Sequence, residues 1–349
     1  MLPTIPERSL THISAVGGQL GPDPEDFRVT EIPAYEFCGE GEHLYVRMRK
    51  RSRTTRDLIR AVSLVTGIRD REIGSAGMKD KHAVTEQWLS MPARDAGDAM
   101  AWELPDWCSV LEVARHSNKL RTGHLRGNRF EVRLVGVETG ETADGNIAAV
   151  CETMANDGYL NIFDAQRFGY GGRNLDEAVA WLDGRRVKDR RLRKLLASAI
   201  QSEIFNRYAV ARAELGLKQL IEGEVVRLEG SSGVFVVEDL SAEQLRLANG
   251  DVHLTGPIHG PKMRVAAGGA AIMEDEAAGA FPADTLEKLA REAPGTRRDL
   301  LVRPLDIEWK RQDGGDEGVV VLSFFLPSGA YATRVIAEIT GGAVERETS

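Results

Sequence analysis

Alternating segments lie near both ends of the 349-residue chain and enclose a helix-rich middle. Near the N-terminus the alternating segments are 27–31 and 43–50, and near the C-terminus they are 300–310 and 319–326. A period of two is typical of a strand with one buried face. The middle instead shows helical spacing, most clearly over 189–215. Strands that are distant in sequence and flank a helical region favour an α+β chain in which one domain interrupts another.

The composition is that of an ordinary globular protein, with 42% hydrophobic and 28% charged residues. No apolar run approaches eighteen residues and the N-terminus lacks a signal-peptide pattern, so we expect a cytoplasmic protein without a membrane span. The three cysteines, Cys38, Cys108 and Cys151, are scattered and odd in number, which argues against a disulfide framework. Neither they nor the histidines show metal-ligand spacing, and we expect no metal site.

Basic residues are concentrated in short runs although the net charge is −8. Residues 47–60 contain seven basic residues against one acidic residue, and so do residues 185–194. A third basic stretch covers 115–133. Local basic runs on an acidic chain suit a polyanion bound to one face, although solvated helix faces have the same composition. The charge pattern therefore leaves nucleic-acid binding and simple solvation open.

The stretch 74–91 carries the densest group of chemically useful side chains. A glycine-punctuated approach leads to Lys79, Asp80 and His82, and residues 83–89 then alternate as a strand, with Thr85 and Gln87 on one face. Asp80 is thus predicted in a loop that feeds a strand, beside a lysine that would hold it ionised if the two side chains converge. On local chemistry alone, a solvated surface charge pair is the commoner interpretation.

Other segments give expectations of secondary structure or of binding. Gly127 and Asn128 suit positive φ in a turn before a strand, 136–146 resembles a loop, and a helix is predicted over 147–156. The polar and aromatic residues of 161–172 suit either a nucleobase site or a loop whose side chains satisfy one another. The glycines at its end lack the lysine of a phosphate-binding loop.

Five separated stretches match one family, in that family's order. They are PEDFRVTE (24–31), AGMKDKHAVTEQW (76–88), RGNRF (126–130), NIFDAQRFG (161–169) and LPSGAYAT (326–333). Through them the chain resembles the TruD family of tRNA pseudouridine synthases, and the second stretch is the most specific of the five. The matches span nearly the whole chain, so the resemblance covers both the predicted sheet regions and the helical middle.

The resemblance implies a pseudouridine-synthase-type catalytic domain with a mixed, largely antiparallel sheet, and an inserted α/β TRUD domain. The boundaries we expect are 1–158 and 304–349 for the catalytic domain and 159–303 for the insertion. It also implies isomerisation of a uridine of tRNA, uridine 13 in bacterial members, without a cofactor or metal. We expect the protein to be a monomer.

The resemblance further implies the residues of the site. Asp80 is the implied catalytic residue, and the implied substrate-binding residues are Phe27, Lys79, Asn128, Phe130 and Tyr331. Elementary chemistry agrees, because breaking a glycosidic bond needs a carboxylate, and a detached base needs aromatic walls and hydrogen-bonding groups. For each aromatic residue, ordinary core packing is the alternative.

Three positions depart from the family pattern. Gly21 stands where a basic residue is common, Asp164 where a glycine is usual, and Ala337 where an arginine is common. These departures bear on RNA contacts and rate more than on reaction class. Two other functions remain to be compared with the synthase: a non-catalytic RNA-binding protein of the same fold and a metal-dependent nuclease, for which no second acidic cluster with ligand spacing exists.

Overall fold

The computed structural model describes residues 2–312 and 318–342, and within these ranges the chain forms two compact units. The first, here called the sheet unit, contains residues 10–157 and the described residues from 303 onward. The second, the inserted unit, contains residues 158–302 together with residues 2–9. The chain changes unit after residues 157 and 302, one residue before each expected boundary, whereas residues 2–9, which we expected in the catalytic domain, belong to the inserted unit. That each unit is an autonomous domain stays a prediction.

The sheet unit is built on nine strands with three helices of nine residues or more. Its elements are β1 (Gln19–Leu20), β2 (Phe27–Pro33), β3 (His43–Arg51), α1 (Thr55–Thr66), β4 (Gly74–Ser75), β5 (Val84–Pro92), α2 (Ala93–Ala96), β6 (Cys108–His116), β7 (Leu125–Val135), α3 (Glu141–Asn156), and, after the insertion, β14 (Leu305–Arg311), β15 (Val320–Pro327) and α10 (Ala332–Thr340). The main order is β14-β15-β7-β2-β5-β3-β6, with β1 on β7 and β4 on β5. Only β2 and β5 are parallel among the described pairs, which confirms the predicted largely antiparallel sheet.

The core of this unit follows from the period of β3. Leu44, Val46 and Met48 are buried on one face of the strand and pack with Leu58 and Val62 of α1. The helix begins with a capping box between Thr54 and Asp57 and ends at a left-handed Gly67. Because α1 is fixed at both ends and packed on β3, its first turn is held rigidly beside the sheet.

The inserted unit mixes short sheets with helices. Its elements are β8 (Tyr159–Leu160), α4 (Ala165–Phe168), α5 (Arg173–Leu182), α6 (Arg190–Glu214), β9 (Val225–Leu228), β10 (Val234–Val236), α7 (Leu240–Asn249), β11 (Val252–Ile258), α8 (Gly268–Ala278), α9 (Ala283–Glu292), β12 (Thr296–Asp299) and β13 (Leu301–Val302). One sheet has the order β10-β9-β11-β12 and the other pairs β13 with β8. The long helix α6 buries Leu196, Ile200 and Phe205. Together the two units confirm the α+β class.

Several sequence expectations are wrong in detail. α3 begins at Glu141 and not at residue 147, because Ala143 joins Ile147 and Val150 on the buried face and Gly145 is tolerated on the exposed one. The single strand predicted over 300–310 is two strands, β13 and β14, which belong to different units. Pro304 lies between them and has no backbone N–H to continue a ladder. The sequence predicts no element at β11 or α8, where glycine and proline hide the pattern.

Gly127 and Asn128 lie inside β7, so the predicted turn with positive φ is wrong. The register sets Gly127 opposite Pro327 and Asn128 opposite Leu326. A Cβ on Gly127 would lie 2.1 Å from the carbonyl oxygen of Leu326 and 2.5 Å from the ring of Phe325. Glycine is therefore required there by the close approach of β15 and not by backbone conformation.

None of the helices in the described ranges is both long enough and apolar enough to cross a membrane.

Candidate active site

Asp80 lies in a loop, residues 76–83, that joins β4 to β5. Two hydrogen bonds anchor the loop around Asp80: the backbone N–H of Lys79 donates to Thr55 Oγ1 at 2.9 Å, and Lys50 Nζ donates to the carbonyl oxygen of Asp80 at 2.7 Å. A third fixes its start, where Gly123 N–H donates to the carbonyl oxygen of Ala76 at 2.8 Å. Asp80 itself is half-buried. The loop is thus held by α1, by β3 and by the segment before β7.

The carboxylate of Asp80 makes no hydrogen bond or ion pair with any residue in the described ranges. Buried hydroxyl and amide groups lie beneath the loop, where Thr55 Oγ1 donates to Gln87 Oε1 at 3.0 Å. Gln87 Nε2 and Thr85 Oγ1 have no hydrogen-bond partner among the described atoms. The loop that carries Asp80 therefore rests on buried polar groups that retain hydrogen-bonding capacity.

Lys79 does not pair with Asp80, contrary to the sequence expectation. Its Nζ lies 2.6 Å from Glu31 Oε2 and donates to Asn128 Oδ1 at 2.9 Å. The strand register explains this choice, because Glu31 of β2 lies directly opposite Asn128 of β7 and Lys79 bridges the pair. The other oxygen of Glu31 accepts from the backbone N–H of Trp88 at 3.2 Å. With 5% and 0% of their side chains exposed, Lys79 and Glu31 form a buried ion pair.

Lys50 is the cation that faces Asp80, and sequence reasoning missed it. Its side chain is fully buried, in phase with Leu44, Val46 and Met48 on β3. The pKa of Lys50 is lowered to about 8, chiefly by burial; the charge of Lys79 also lowers it, and the charges of Asp80 and Asp57 act in the opposite direction. A lysine in register with an apolar face is the sequence signal that identifies it. The signal is hidden because Lys50 stands among the arginines of a basic run, where a solvated side chain is the usual expectation.

The structure brings two of the three predicted aromatic residues together. The ring centroids of Phe27 and Phe130 are 5.8 Å apart, and Phe130 also stacks on Phe324 at 5.4 Å. Phe27 and Phe130 are 2% and 6% exposed, so both pack within the sheet unit. Tyr331 is half-buried and occupies the N-cap position of α10, after the turn that follows β15. That these rings hold a base stays a prediction.

The three departures from the family pattern occupy different environments. At Gly21 an added Cβ would lie 2.2 Å from Asp26 Oδ2, so the Asp26 carboxylate fills the space that a side chain would take. Asp164 caps α4 by accepting from the backbone N–H of Ala165 at 2.8 Å. Ala337 is buried in α10. Gly21 therefore contributes no basic side chain to the site.

The stretch 161–172 suits, by its sequence, either a base-binding site or a self-satisfied loop. Asn161 Nδ2 donates to the carbonyl oxygen of Asp299 at 2.9 Å, and its Oδ1 accepts from Arg298. Asn206 Nδ2 donates to the carbonyl oxygen of Phe163, whose N–H donates to Asn206 Oδ1. These hydrogen bonds use the amide of Asn161 within the inserted unit, which favours the self-satisfied loop at that residue.

Comparison with known proteins agrees with this architecture. The sequence model described as tRNA pseudouridine synthase D (TruD) matches residues 7–180 and 172–339. The chain belongs to the TruD family. It is 39% identical over 328 residues to tRNA pseudouridine synthase D of Aeromonas hydrophila, covering 92% of this chain and 90% of that protein. It is 38% identical over 329 residues to the Thermus thermophilus protein of that name, covering 94% and 90%.

A solved structure supports the fold of this TruD-family chain. The crystal structure titled putative tRNA pseudouridine synthase D (TruD) from Methanosarcina mazei superposes with a TM-score of 0.78. It covers 97% of this chain and 96% of the other at 24% sequence identity. As a member of this family the chain is an enzyme. Within the described ranges, no group of three or more histidine, cysteine, aspartate or glutamate residues is placed to hold a metal ion.

Proposed function

We propose that this protein isomerises uridine 13 of a tRNA to pseudouridine, with Asp80 as the catalytic residue. The observation that carries the proposal is the placement of Asp80 in a chain of the TruD family. Its carboxylate stands without a described partner on a loop anchored on both sides, and a buried lysine faces the loop. The family names of the relatives supply the substrate class, and the loop supplies the reacting group.

The chemistry needs one ionised carboxylate. The bond between uracil N1 and the sugar C1′ breaks, the base rotates, C5 bonds to C1′, and the C5 proton is replaced by one at N1. Asp80 serves this sequence either as a nucleophile at the sugar or as the base that removes a sugar proton. Both roles require the unprotonated form, and neither requires a metal or redox group.

RNA binding is supported by exposed basic residues in each unit. In residues 47–60, Arg47, Arg49 and Arg51 pair with glutamates and Lys50 is buried, which leaves Arg53, Arg56 and Arg60 exposed without a described ion-pair partner. The available charge of that run is therefore smaller than its composition suggests. Extruding a base costs a few kcal/mol, which phosphate contacts from such residues offset.

The first test is Asp80→Ala in a tritium-release assay on tRNA labelled at uridine C5. We expect wild type to release tritium and Asp80→Ala to release none above background, with tRNA affinity within about threefold, because the carboxylate acts in bond breaking more than in binding. Asp70→Ala, which removes an exposed aspartate of the sheet unit, is the matched control and should behave as wild type. A tRNA with cytidine at position 13 should give no release.

Three outcomes would contradict parts of this proposal. Substantial release by Asp80→Ala would assign the chemistry to another carboxylate. Release from the cytidine-13 tRNA equal to that from the normal substrate would place the target elsewhere. Tight tRNA binding by wild type with no release from any tRNA would make the protein a non-catalytic RNA binder of the same fold.

A further inference from the structure

Lys50 is an ionisable group that the chemistry above does not use. It is 0% exposed, and its Nζ donates a 2.7 Å hydrogen bond to the carbonyl oxygen of Asp80. A buried ammonium is costly unless it is paired, so its presence in the apolar register of β3 requires compensation. The backbone carbonyl alone is a dipole and leaves the positive charge unneutralised. The missing negative partner must lie close to this carbonyl.

The other charges around Lys50 are already used. Lys79 is bound to Glu31 at 2.6 Å, and the carboxylate of Asp57 accepts from both the N–H and the hydroxyl of Thr54, at 2.8 and 2.7 Å. Gly21 brings no side chain to the site. Of the three charged groups that act on Lys50, namely Asp80, Lys79 and Asp57, only Asp80 is an anion without another described partner.

We propose that Lys50 is the positioning residue of Asp80, fixing the loop through its carbonyl oxygen and holding a buried positive charge near the Asp80 carboxylate when RNA is bound. This inference rests on the proposed function. Phosphate groups of a bound RNA raise the cost of a nearby carboxylate charge, since like charges disfavour ionisation. Because the Lys50 ammonium is buried inside the sheet unit, neither solvent ions nor the substrate displace it. Its positive charge therefore still acts on Asp80 during the chemical step.

The charge state of Lys50 makes the rate depend on pH. Lys50 is protonated below its pKa of about 8 and neutral above it. Lys79 and Asp57, the other charged groups that act on it, are both engaged in the contacts described above. The value of kcat/KM reports groups of the free enzyme. We therefore expect kcat/KM of wild type to be level below pH 8 and to fall as the pH rises through that value.

The experiment compares three full-length variants with wild type between pH 6 and 9.5. Lys50→Met removes the charge at similar volume, Lys50→Arg keeps a charge that does not titrate, and Met48→Leu perturbs the same buried face of β3 without a charge. The measurements are kcat/KM for tritium release, tRNA affinity by filter binding and the thermal unfolding midpoint. Affinity and unfolding separate a catalytic effect from a folding defect.

We expect Lys50→Met to lose about 10²-fold in kcat/KM at pH 7, in the range found for single preorganised electrostatic groups, and to lack the alkaline fall. Its tRNA affinity should stay within about threefold of wild type, because the residue does not reach the surface. Lys50→Arg should keep activity without the fall near pH 8. Met48→Leu should keep both the rate and the fall.

Lys50→Met activity within threefold of wild type, or an unchanged alkaline fall in that variant, would overturn the proposal. If Lys50→Met does not fold, Lys50→Arg decides, because a fall that persists near pH 8 with arginine in place would equally overturn it. Wild type that binds tRNA without releasing tritium would overturn the proposed function, and this inference with it. Activity in wild type with unaffected Lys50 variants overturns the inference alone.

Discussion

At the scale of single residues, two ionisable side chains occupy positions that the strand period assigns to the core. Glu31 continues the buried series of Phe27 and Val29 on β2, and Lys50 continues that of Val46 and Met48 on β3. Glu31 is compensated by Lys79 at 2.6 Å, whereas Lys50 has the carbonyl oxygen of Asp80 and the charge of its carboxylate. Burying these charges costs stability, and both lysines hold the loop that carries Asp80, Lys79 as part of the loop and Lys50 through its hydrogen bond.

The burial of Lys50 makes stability depend on pH. Its pKa falls from 10.5 to about 8 on folding, so between these values the unfolded chain binds more protons than the folded one, and stability from this group rises with pH. The full difference corresponds to about 3 kcal/mol. We expect the unfolding free energy of wild type relative to Lys50→Met to increase from pH 7.5 to pH 10.5, measured by chemical denaturation at each pH. A difference that stays constant over this range would contradict the buried, charged lysine.

The buried pair of Lys79 and Glu31 gives a second prediction at this scale. Glu31→Gln keeps the shape but leaves the Lys79 ammonium without a carboxylate, and breaking a buried pair costs about 3–5 kcal/mol. The double variant Glu31→Gln with Lys79→Met should recover part of that loss, since it removes the uncompensated charge. Unfolding midpoints of the two variants test this. Equal losses in the single and double variants would show that the unpaired charge of Lys79 is not what destabilises Glu31→Gln.

At the scale of elements, the approach of β7 to β15 depends on a glycine. Gly127→Ala would set a Cβ 2.1 Å from the carbonyl oxygen of Leu326, and we expect it to cost about 2–3 kcal/mol. Gly145→Ala is the matched control, because Gly145 lies on the exposed face of α3 with nothing within 4 Å, and it should stabilise by about 0.5–1 kcal/mol. Urea unfolding of both variants measures the difference. Equal stability of the two variants would contradict the close approach.

Some of these strands and helices can be predicted from the sequence, and others cannot. β2, β3, α1 and β15 are predictable because each carries a local period, and the capping residues of α1 state where it begins and ends. The partner of Lys79 is not predictable, because Glu31 and Asn128 become neighbours only through the register of β2 with β7. The break between β13 and β14 is missed because both halves alternate, and only their tertiary partners separate them.

At the scale of the whole molecule, exposed positive charge is uneven despite a net charge of −8. Arg190 and Arg191 form the first turn of α6, with Lys194 one turn on, and all three are exposed without a described ion-pair partner. Basic residues there oppose the helix dipole, which favours anions at an N-terminus. These basic residues therefore destabilise α6 in the absence of a ligand. A bound polyanion such as tRNA compensates for that effect.

Replacing Arg190, Arg191 and Lys194 with alanine should therefore weaken tRNA binding and its salt dependence together. We expect affinity to fall about tenfold at low salt, and the slope of log affinity against log salt to decrease by about one for each phosphate that the variant no longer neutralises. The control replaces Arg173 and Lys288, which pair with Glu177 and Asp284 on the same unit. An unchanged slope in the triple variant would exclude this surface from the RNA interface.

The pairing of β8 with β13 has a consequence for chain connectivity. Leu160 lies opposite Leu301 and Tyr159 opposite Val302, so the insertion starts and finishes on neighbouring strands about 5 Å apart. The pairing of β8 with β13 holds the two ends of the long insertion together. For the connectivity of the sheet unit, the insertion is therefore equivalent to a short hairpin. Closing a loop of so many residues costs entropy, and contacts within the insertion offset that cost. The pairing of β14 and β15 with the rest of the sheet then does not have to offset it. Segments of the insertion between β8 and β13 can therefore change in length or sequence while the strands that carry the Asp80 site keep their register.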